Sequence, residues 1–265
     1  MRRSLAALVC VTTLVAAKPV LAAERVVALD QCADQYVIAL VPRGQIAGVT
    51  PRADDDDAWL RAGARGLPVR RPTAESMLAA SPTVAVRYWG GDQRLLAALR
   101  RRGVRVVQIE DATDFVGVRM GVRSVARGLG QPAAGERLVA RMDADLAASR
   151  GAWGGRRALY ITPSGFTAGA GTLTDAVLRA AGLTNVAASG FAPVSLERLV
   201  LDPPRLFVKA FFEAVRSDRR GAGRGRVMNR LMRGRTAAEL PGSLMTCPAW
   251  FGAEASRRLA EHAPR

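Results

Sequence analysis

Short apolar runs alternate with helix-spaced apolar residues along most of the chain. In the first half this pattern predicts buried strands, with helices between them, at 25–30, 45–50, 83–87 and 104–109. The alternation begins again in the second half, where strands are expected at 157–162, 205–208 and 237–245 and a closing helix at 253–262. Such alternation is typical of α/β layers built on a mainly parallel sheet.

Residues 116–155, between the two halves, contain no strand pattern. The helical character is interrupted near Gly130 and Pro132, and beyond that point helical spacing places four apolar residues on one face: Leu138, Val139, Met142 and Leu146. We therefore predict two Rossmann-like α/β lobes, 24–115 and 156–265, with mainly parallel central sheets. One long connecting helix within 116–155 should join them.

The two halves share one short phrase. Residues 73–86 read TAESMLAASPTVAV and residues 195–208 read SLERLVLDPPRLFV, and they align without a gap. Each copy predicts a short helix, a proline that ends it and the strand that follows. One such unit in each lobe explains the duplication. Because ligands of open α/β sheets bind beyond the carboxyl ends of the strands, two facing lobes predict a ligand cleft between them.

Residues 1–23 are typical of a cleavable signal peptide. Arg2 and Arg3 precede an apolar run at 4–17, and small residues follow it. We expect the mature protein, from about residue 24, to lie outside the cytoplasm. It retains Cys32 and Cys247, which in an exported protein could form a disulfide or remain as two buried thiols.

The sequence carries a formal net charge of +16, and almost all of its positive charge is arginine. Such a charge could suit nucleic acid, an anionic membrane surface or an acidic ligand. Because the arginines are scattered rather than set along one helix face, we interpret most of them as solvated surface residues. This includes the arginines of residues 215–235, which are expected to form a loop. No nucleic-acid partner is predicted.

Aromatic residues make up only 5% of the chain, yet several fall in loops that should follow strands. This placement favours stacking on a large planar or macrocyclic ligand, although such residues can also anchor loops. Arg52 and Arg87 lie at strand ends, where they could bind an anionic chelate or face solvent. The loop at 111–113 should also line the cleft. The predicted ligand-binding residues are Gln31, Cys32, Arg52, Arg87, Tyr88, Trp89, Phe166, Thr167, Phe211, Phe212, Trp250 and Phe251.

Direct metal binding and catalysis find little support in the sequence. His262, in the closing helix, is the only histidine, and no cluster of His, Cys, Asp or Glu has metal-ligand spacing. Gly169 and Gly171 lack the third glycine of a dinucleotide-binding loop. We therefore predict neither a cofactor nor a metal site. A small-molecule enzyme stays as a rival class, together with a ligand-sensing periplasmic lobe.

Four segments, in order, resemble the periplasmic substrate-binding proteins of ABC importers for ferric siderophores and vitamin B12. They are RVVALDQCADQYVIALVPRGQIAGVT at 25–50, the helix–strand phrase around Glu75, RRGVRVVQIEDATDF at 101–115 and GTLTDAVLRAAGLTNV at 171–186. Thr83 stands where the family pattern usually has aspartate. The likeness covers essentially the whole mature chain. It implies two lobes joined by one long helix, little hinge motion and no catalysis.

The resemblance also implies a ligand, a partner and two docking residues. A monomer in the periplasm would capture a metal chelate, with a ferric siderophore ahead of a corrinoid, and pass it to a dimeric membrane permease. Haem is a further alternative, with Tyr88 as an axial ligand. Glu75 and Glu197 match the acidic residues that dock each lobe onto basic permease residues, and each stands near a helix start, where the helix dipole favours an anion. Both could instead be exposed helix-start acids without a partner.

Overall fold

The computed structural model describes residues 24–214 and 218–264, so the predicted signal peptide at 1–23 lies outside the described residues. The four strands of the N-terminal lobe run parallel in the order β2-β1-β3-β4, and the predicted strand–helix alternation is confirmed there. The elements of this lobe are β1 (Val26–Ala28), α1 (Gln31–Leu40), β2 (Ile46–Gly48), α2 (Arg61–Ala64), α3 (Ala74–Ala79), β3 (Val84–Arg87), α4 (Gln93–Arg101) and β4 (Arg105–Gln108).

Two helices follow the first lobe, α5 (Phe115–Gly128) and α6 (Pro132–Ser149). Gly130, with a φ of 67°, turns the chain after α5, because glycine adopts this left-handed conformation without steric cost. Pro132 begins α6, since a helix tolerates proline in its first turn. The predicted interruption thus separates two packed helices, and the long connecting helix is α6.

The main sheet of the C-terminal lobe is parallel in the order β10-β9-β5-β7, and β6 pairs with β8 as a separate antiparallel ribbon. Strands β5, β7, β9 and β10 therefore repeat the arrangement of β1, β2, β3 and β4. The elements are β5 (Arg157–Ile161), β6 (Phe166–Ala168), α7 (Leu173–Ala180), β7 (Thr184–Asn185), β8 (Phe191–Pro193), α8 (Leu196–Leu201), β9 (Leu206–Ala210), α9 (Arg226–Met232), β10 (Thr236–Leu240) and α10 (Gly252–Glu261).

The second lobe contains three strands that the sequence pattern did not predict, β6, β7 and β8, and it differs from the prediction in two further places. Residues 215–235, expected to form a loop, contain α9, whose Met228 and Met232 are buried one turn apart against the sheet. The surrounding arginines conceal this apolar face in the sequence. The strand expected at 237–245 ends at Leu240, because Pro241 follows it and has no N–H to donate to a ladder. Residues 215–217 lie outside the described part of the chain.

A continuous hydrophobic core joins the two lobes. It includes inner residues of β1, β3, α5, α6 and α10. Tyr36 of α1 packs edge-on against Trp250, with ring centroids 5.3 Å apart, and its hydroxyl donates to the carbonyl of Pro248 at 2.8 Å. The segment before α10 is therefore anchored on the first lobe, which resists movement of one lobe against the other.

The outer face of each sheet carries a smaller core of its own. Helices α3 and α4 cover this face in the first lobe, and α8 and α9 cover it in the second. None of the helices within the described ranges is long and apolar enough to cross a membrane.

Candidate ligand-binding cleft

A cleft of about 410 Å³ lies between the lobes, beyond the carboxyl ends of the central strands. The first lobe contributes Tyr88 and residues 111–113, and the second contributes aromatic rings and threonine hydroxyls. Residues 244–248, which lie between β10 and α10, also line the cleft. The predicted interlobe cleft is therefore present.

The buried carboxylate of Asp30 holds the cleft wall of the first lobe in place. Its Oδ1 caps α1 by accepting from the Ala33 N–H at 2.9 Å, and its Oδ2 accepts from the backbone N–H groups of Tyr88 at 2.7 Å and Gly90 at 2.8 Å. Gly90 is required here, because a Cβ at this position would lie 2.1 Å from the carbonyl oxygen of Leu29. The loop after β3 is thus tied to the start of α1, which sets the position of Tyr88.

Tyr88 and Asp111 form the polar part of this wall. The phenol of Tyr88 donates to Asp111 Oδ1 at 2.9 Å. Burial, the hydrogen bond to Asp111 and the negative charges of Asp111 and Asp30 raise the pKa of Tyr88 to about 12, so the phenol is protonated at neutral pH. Among the described residues that line the cleft, Asp111 is the only charged one.

The facing wall comes from the second lobe and is mostly apolar. Phe166 and Phe191, on the two strands of the β6–β8 ribbon, are 48% and 73% exposed, so both rings are available to a ligand. Phe211, directly after β9, has a φ of 66°, a conformation that non-glycine residues adopt mainly at turns and functional sites. Its ring packs over Gly242, where an added Cβ would lie 2.4 Å from the ring.

Threonine hydroxyls add hydrogen-bonding groups to this apolar wall. Thr167 is 7% exposed, and its Oγ1 has no hydrogen-bond partner in the described structure. Thr162 differs, because its hydroxyl is bonded to the backbone of Phe166. A buried polar atom without a partner is unfavourable, so Thr167 offers a ligand a free donor and acceptor.

A disulfide joins Cys32 of α1 to Cys247, and the Cα atoms are 5.5 Å apart. It links residues 215 positions apart in the chain, one in each lobe. Cys247 lines the cleft, whereas Cys32 is buried behind it and does not. Of the two alternatives that the sequence left open, the structure therefore contains the disulfide. Cys32 does not contact the cleft itself but is bonded to Cys247, which lines it.

The structure places three of the predicted polar residues outside the cleft. Arg52 pairs with Asp55 and Asp57 at 3.0 and 3.5 Å, and Gln31 donates to the same Asp57 at 2.6 Å. Arg87 donates to the carbonyl of Gly90 at 2.6 Å and to Gln108 at 2.9 Å. In each case the side-chain N–H groups are already bonded to oxygens of nearby protein residues, so these side chains stabilise the protein locally.

Four predicted aromatic residues also lie outside the cleft lining. Trp250 and Phe251 are 4% and 2% exposed and belong to the core between the lobes, which corrects their assignment to a loop that lines the cleft. Trp89, next to Tyr88, is 58% exposed but is not among the residues that line the cleft. Phe212 is half-buried beneath the amino group of Lys209, which lies 4.5 Å from its ring centroid. Of the predicted residues, the cleft brings together Tyr88, Phe166, Thr167 and Phe211.

Several lining residues were not among those predicted from the sequence. Phe191 lies in a stretch where no strand was predicted, so no sequence signal pointed to it. Met245 was expected to end the strand at 237–245, but β10 ends at Leu240 and Met245 lies in the loop that follows. Asp111 follows β4 and lies in the 111–113 loop, which the strand-end rule did select. Within residues 24–214 and 218–264, no group of three or more His, Cys, Asp and Glu side chains could hold a metal ion.

Both copies of the repeated phrase form a helix and a parallel strand. Glu75 and Glu197 are exposed and lie in the first turns of α3 and α8. Thr73 and Ser195 cap these helices through hydrogen bonds of 3.3 Å from the backbone N–H groups of Ser76 and Arg198. The two glutamates therefore occupy corresponding places in the two lobes.

Solved structures of periplasmic binding proteins share this fold. The heme-binding protein RhuT from Roseiflexus sp. RS-1 aligns with a TM-score of 0.70 and 23% identity over 91% of this chain and 97% of its own. The heme-binding protein HutB of Vibrio cholerae aligns with a TM-score of 0.72 and 18% identity, over 91% of this chain and 98% of its own. A Fe3+-hydroxamate transport protein from Saccharomonospora viridis aligns with a TM-score of 0.66 and 18% identity, over 91% of this chain and 93% of its own.

No protein-family model matches the sequence, and no curated protein matches it either. The structural likeness extends over nearly the full length of each compared protein, although sequence identity is low. It therefore bears on the fold rather than on the ligand. The chain has the two-lobed fold of the periplasmic binding proteins, as its sequence resemblance predicted.

Proposed function

We propose that the protein captures a metal chelate in the interlobe cleft and delivers it to the permease of an importer. The observation that carries this proposal is the cleft itself, which is walled by both lobes and lined by rings and hydroxyls. Apart from Asp111, the described lining consists of aromatic, aliphatic and hydroxyl side chains together with glycine, proline, methionine and the disulfide-bonded Cys247. Such a lining suits binding and release of an unchanged ligand.

The charge of the cleft narrows the class of chelate. The sequence carries 39 lysine and arginine residues, yet none of the described cleft-lining residues is cationic, and Asp111 contributes a negative charge. An anionic chelate would lose its hydration there without gaining a cationic partner. A neutral or cationic chelate with an apolar periphery fits better. Three hydroxamate groups neutralise Fe3+, so a ferric hydroxamate siderophore meets this requirement.

Haem is the second candidate, and the orientation of Tyr88 supports it. The phenol lies at the cleft surface, where it could coordinate an iron atom once its proton moves to Asp111 or to solvent. Two of the compared proteins are heme-binding proteins. Against haem, the raised pKa of Tyr88 disfavours the phenolate, and the described lining offers no cation for the propionates.

A titration separates these candidates. Purified protein is titrated with a neutral ferric trihydroxamate, an anionic ferric tricatecholate, cobalamin and hemin, and tryptophan fluorescence is followed. We expect the trihydroxamate to bind and the tricatecholate not to bind. Tight binding of the tricatecholate, or no binding of any member, would refute the proposed ligand class. Hemin binding with a Soret band that Tyr88→Phe removes would instead favour the second candidate.

The proposed site of action is the periplasm, and the proposed partner is a permease dimer. A disulfide between the lobes is consistent with an oxidising compartment. Glu75 and Glu197 would contact one permease subunit each, since a two-fold partner needs a matched point on each lobe. The two points differ in charge, because Arg198 follows Glu197, whereas Ser76 follows Glu75.

A further inference from the structure

A second concave surface lies on the outer face of the C-terminal lobe. This outer groove has a volume of about 1250 Å³ and runs between α8 and the segment that holds β7 and β8. Leu159, Val186, Val194 and Leu199 form an apolar floor, and four arginines stand around it. The groove is separate from the interlobe cleft, which it meets only at Thr167.

The groove exists because the two copies of the repeated phrase pack differently. In the first lobe, Met77 of α3 is fully buried against the sheet. The corresponding residue of α8, Leu199, is only partly buried, and α8 has no buried residue at all. Val200 and Leu201 are 55% and 85% exposed. The outer face of the second sheet is therefore incompletely covered and leaves apolar surface open to a ligand.

One end of the groove concentrates positive charge. Arg157 and Arg205 immediately precede Ala158 and Leu206, which are paired in neighbouring parallel strands, so their backbones run about 5 Å apart there. Arg156 adjoins them. In the described structure no carboxylate forms an ion pair with these three guanidinium groups, or with Arg198 on α8, and Asp202 is the one acidic residue of the lining.

Thr167 is the residue that the groove shares with the interlobe cleft. The Thr167 side chain is more than nine-tenths buried, and its hydroxyl has no partner among the described residues. The groove thus has a cationic end, an apolar floor and an unsatisfied buried hydroxyl. The cationic end and the apolar floor match a molecule with an anionic head and an apolar chain.

We propose that the outer groove binds a single-chain anionic amphiphile, with its phosphate or carboxylate head at Arg157 and Arg205 and its chain over Leu159, Val194 and Leu199. Arginine forms bidentate, charge-assisted hydrogen bonds with such head groups. Burial of each methylene adds favourable transfer free energy. The concave shape favours one chain within the groove over the flat surface of a bilayer. The proposal does not depend on which chelate the cleft binds.

Calorimetry with dodecyl phosphate below its critical micelle concentration tests the proposal. The double variant Arg157→Gln/Arg205→Gln should weaken binding about tenfold or more. The matched control Arg100→Gln/Arg101→Gln, which removes the same charge from exposed positions on α4, should bind as wild type does. Laurate should bind to the same site, and dodecyl maltoside, with its neutral head, should bind at least about tenfold more weakly than dodecyl phosphate.

A second measurement locates the ligand without relying on a variant. A fatty acid that carries a diazirine in its chain should label residues within 186–206. Labelling of the interlobe cleft at Tyr88 or Phe211 would overturn the proposal. So would inorganic phosphate that binds as tightly as dodecyl phosphate, equal affinity for the neutral detergent, or binding seen only with anionic phospholipid vesicles.

Discussion

Asp34 of α1 is fully buried and accepts two hydrogen bonds from Thr50, which lies just beyond β2. The backbone N–H of Thr50 donates to Asp34 Oδ1 at 2.8 Å, and its hydroxyl lies 2.5 Å from Oδ2. Burial raises the pKa of Asp34 from 3.8 to about 7, although both hydrogen bonds act in the opposite direction. Asp30 raises it further, and Arg52 lowers it. The carboxyl group therefore changes its charge near neutral pH.

This pKa predicts that the protein loses stability as pH rises through the range from 3.8 to about 7. Within that range the folded state binds more protons than the unfolded chain, so the free energy of unfolding falls with increasing pH. Asp34→Asn imitates the protonated carboxyl group and should flatten this part of the pH profile. Thermal melts should show the variant a few degrees more stable than wild type at about pH 8 and similar at about pH 3.5, which lies below both pKa values. Asp92→Asn, at the exposed cap of α4, is the control, and a slope unchanged by Asp34→Asn would contradict the assignment.

Asp30→Asn should weaken ligand binding although Asp30 does not line the cleft. An amide presents only one oxygen to the three N–H groups that the carboxylate now accepts, so the loop that carries Tyr88 loses its anchor. We expect about tenfold lower affinity for the ligand and a loss of about 1–3 kcal/mol in unfolding free energy. Asp92→Asn, the same substitution at the cap of α4, keeps an oxygen for the single N–H that Asp92 accepts, from Leu95, and should leave affinity unchanged. Equal affinity for the Asp30 variant and wild type would rule out this positioning role.

Asp111→Asn should alter which chelates the cleft accepts. The change removes the only charge from the described lining and keeps a group that can accept from the Tyr88 phenol. Affinity for an anionic tricatecholate should rise and affinity for a cationic hydroxamate should fall, each by up to about tenfold. Glu110→Gln is the matched control, because Glu110 is the preceding residue and is exposed outside the cleft lining. If Glu110→Gln changed the two affinities as much as Asp111→Asn does, the effect would come from the overall charge of the protein rather than from the cleft.

Removal of the disulfide should lower stability more than it lowers affinity. Cys32→Ala/Cys247→Ala opens a closed loop that spans most of the chain, and loop closure of this length contributes about 2–5 kcal/mol. The continuous core and the Tyr36–Pro248 hydrogen bond still hold the lobes together, so binding should survive. Urea denaturation measures the first effect and ligand titration the second. Two free thiols in unreduced wild-type protein would contradict the pairing.

Charge reversal at Glu75 and Glu197 should abolish uptake while ligand binding stays intact. Both side chains are exposed and neither lines the cleft, so Glu75→Lys/Glu197→Lys should leave the cleft as it is. Delivery should fall at least about tenfold, because like charges would then face each other at the permease. Asp54→Lys, at an exposed loop carboxylate, is the control. Normal uptake by the double variant would contradict the proposed docking role of Glu75 and Glu197.

Much of the site could be predicted because parallel strands deliver their following loops to one edge. Tyr88 follows β3, the 111–113 loop follows β4 and Phe211 follows β9, so alternation along the chain was enough to select them. The rule failed for Arg52 and Arg87, since it gives the position of a residue but not the partners of its side chain. Their guanidinium groups are bonded to oxygens of their own loops.

The sequence by itself determined the strand–helix alternation of the first lobe, its return in the second and the corresponding places of Glu75 and Glu197, because hydrophobic periodicity and helix caps are local. Only the tertiary structure decided which aromatic rings meet a ligand. Trp250 is in the core because the segment before α10 folds back onto Tyr36, a contact between residues more than 200 positions apart. Phe191 reaches the cleft because β8 pairs with β6. Such long-range packing depends on the whole fold and leaves no local pattern in the chain.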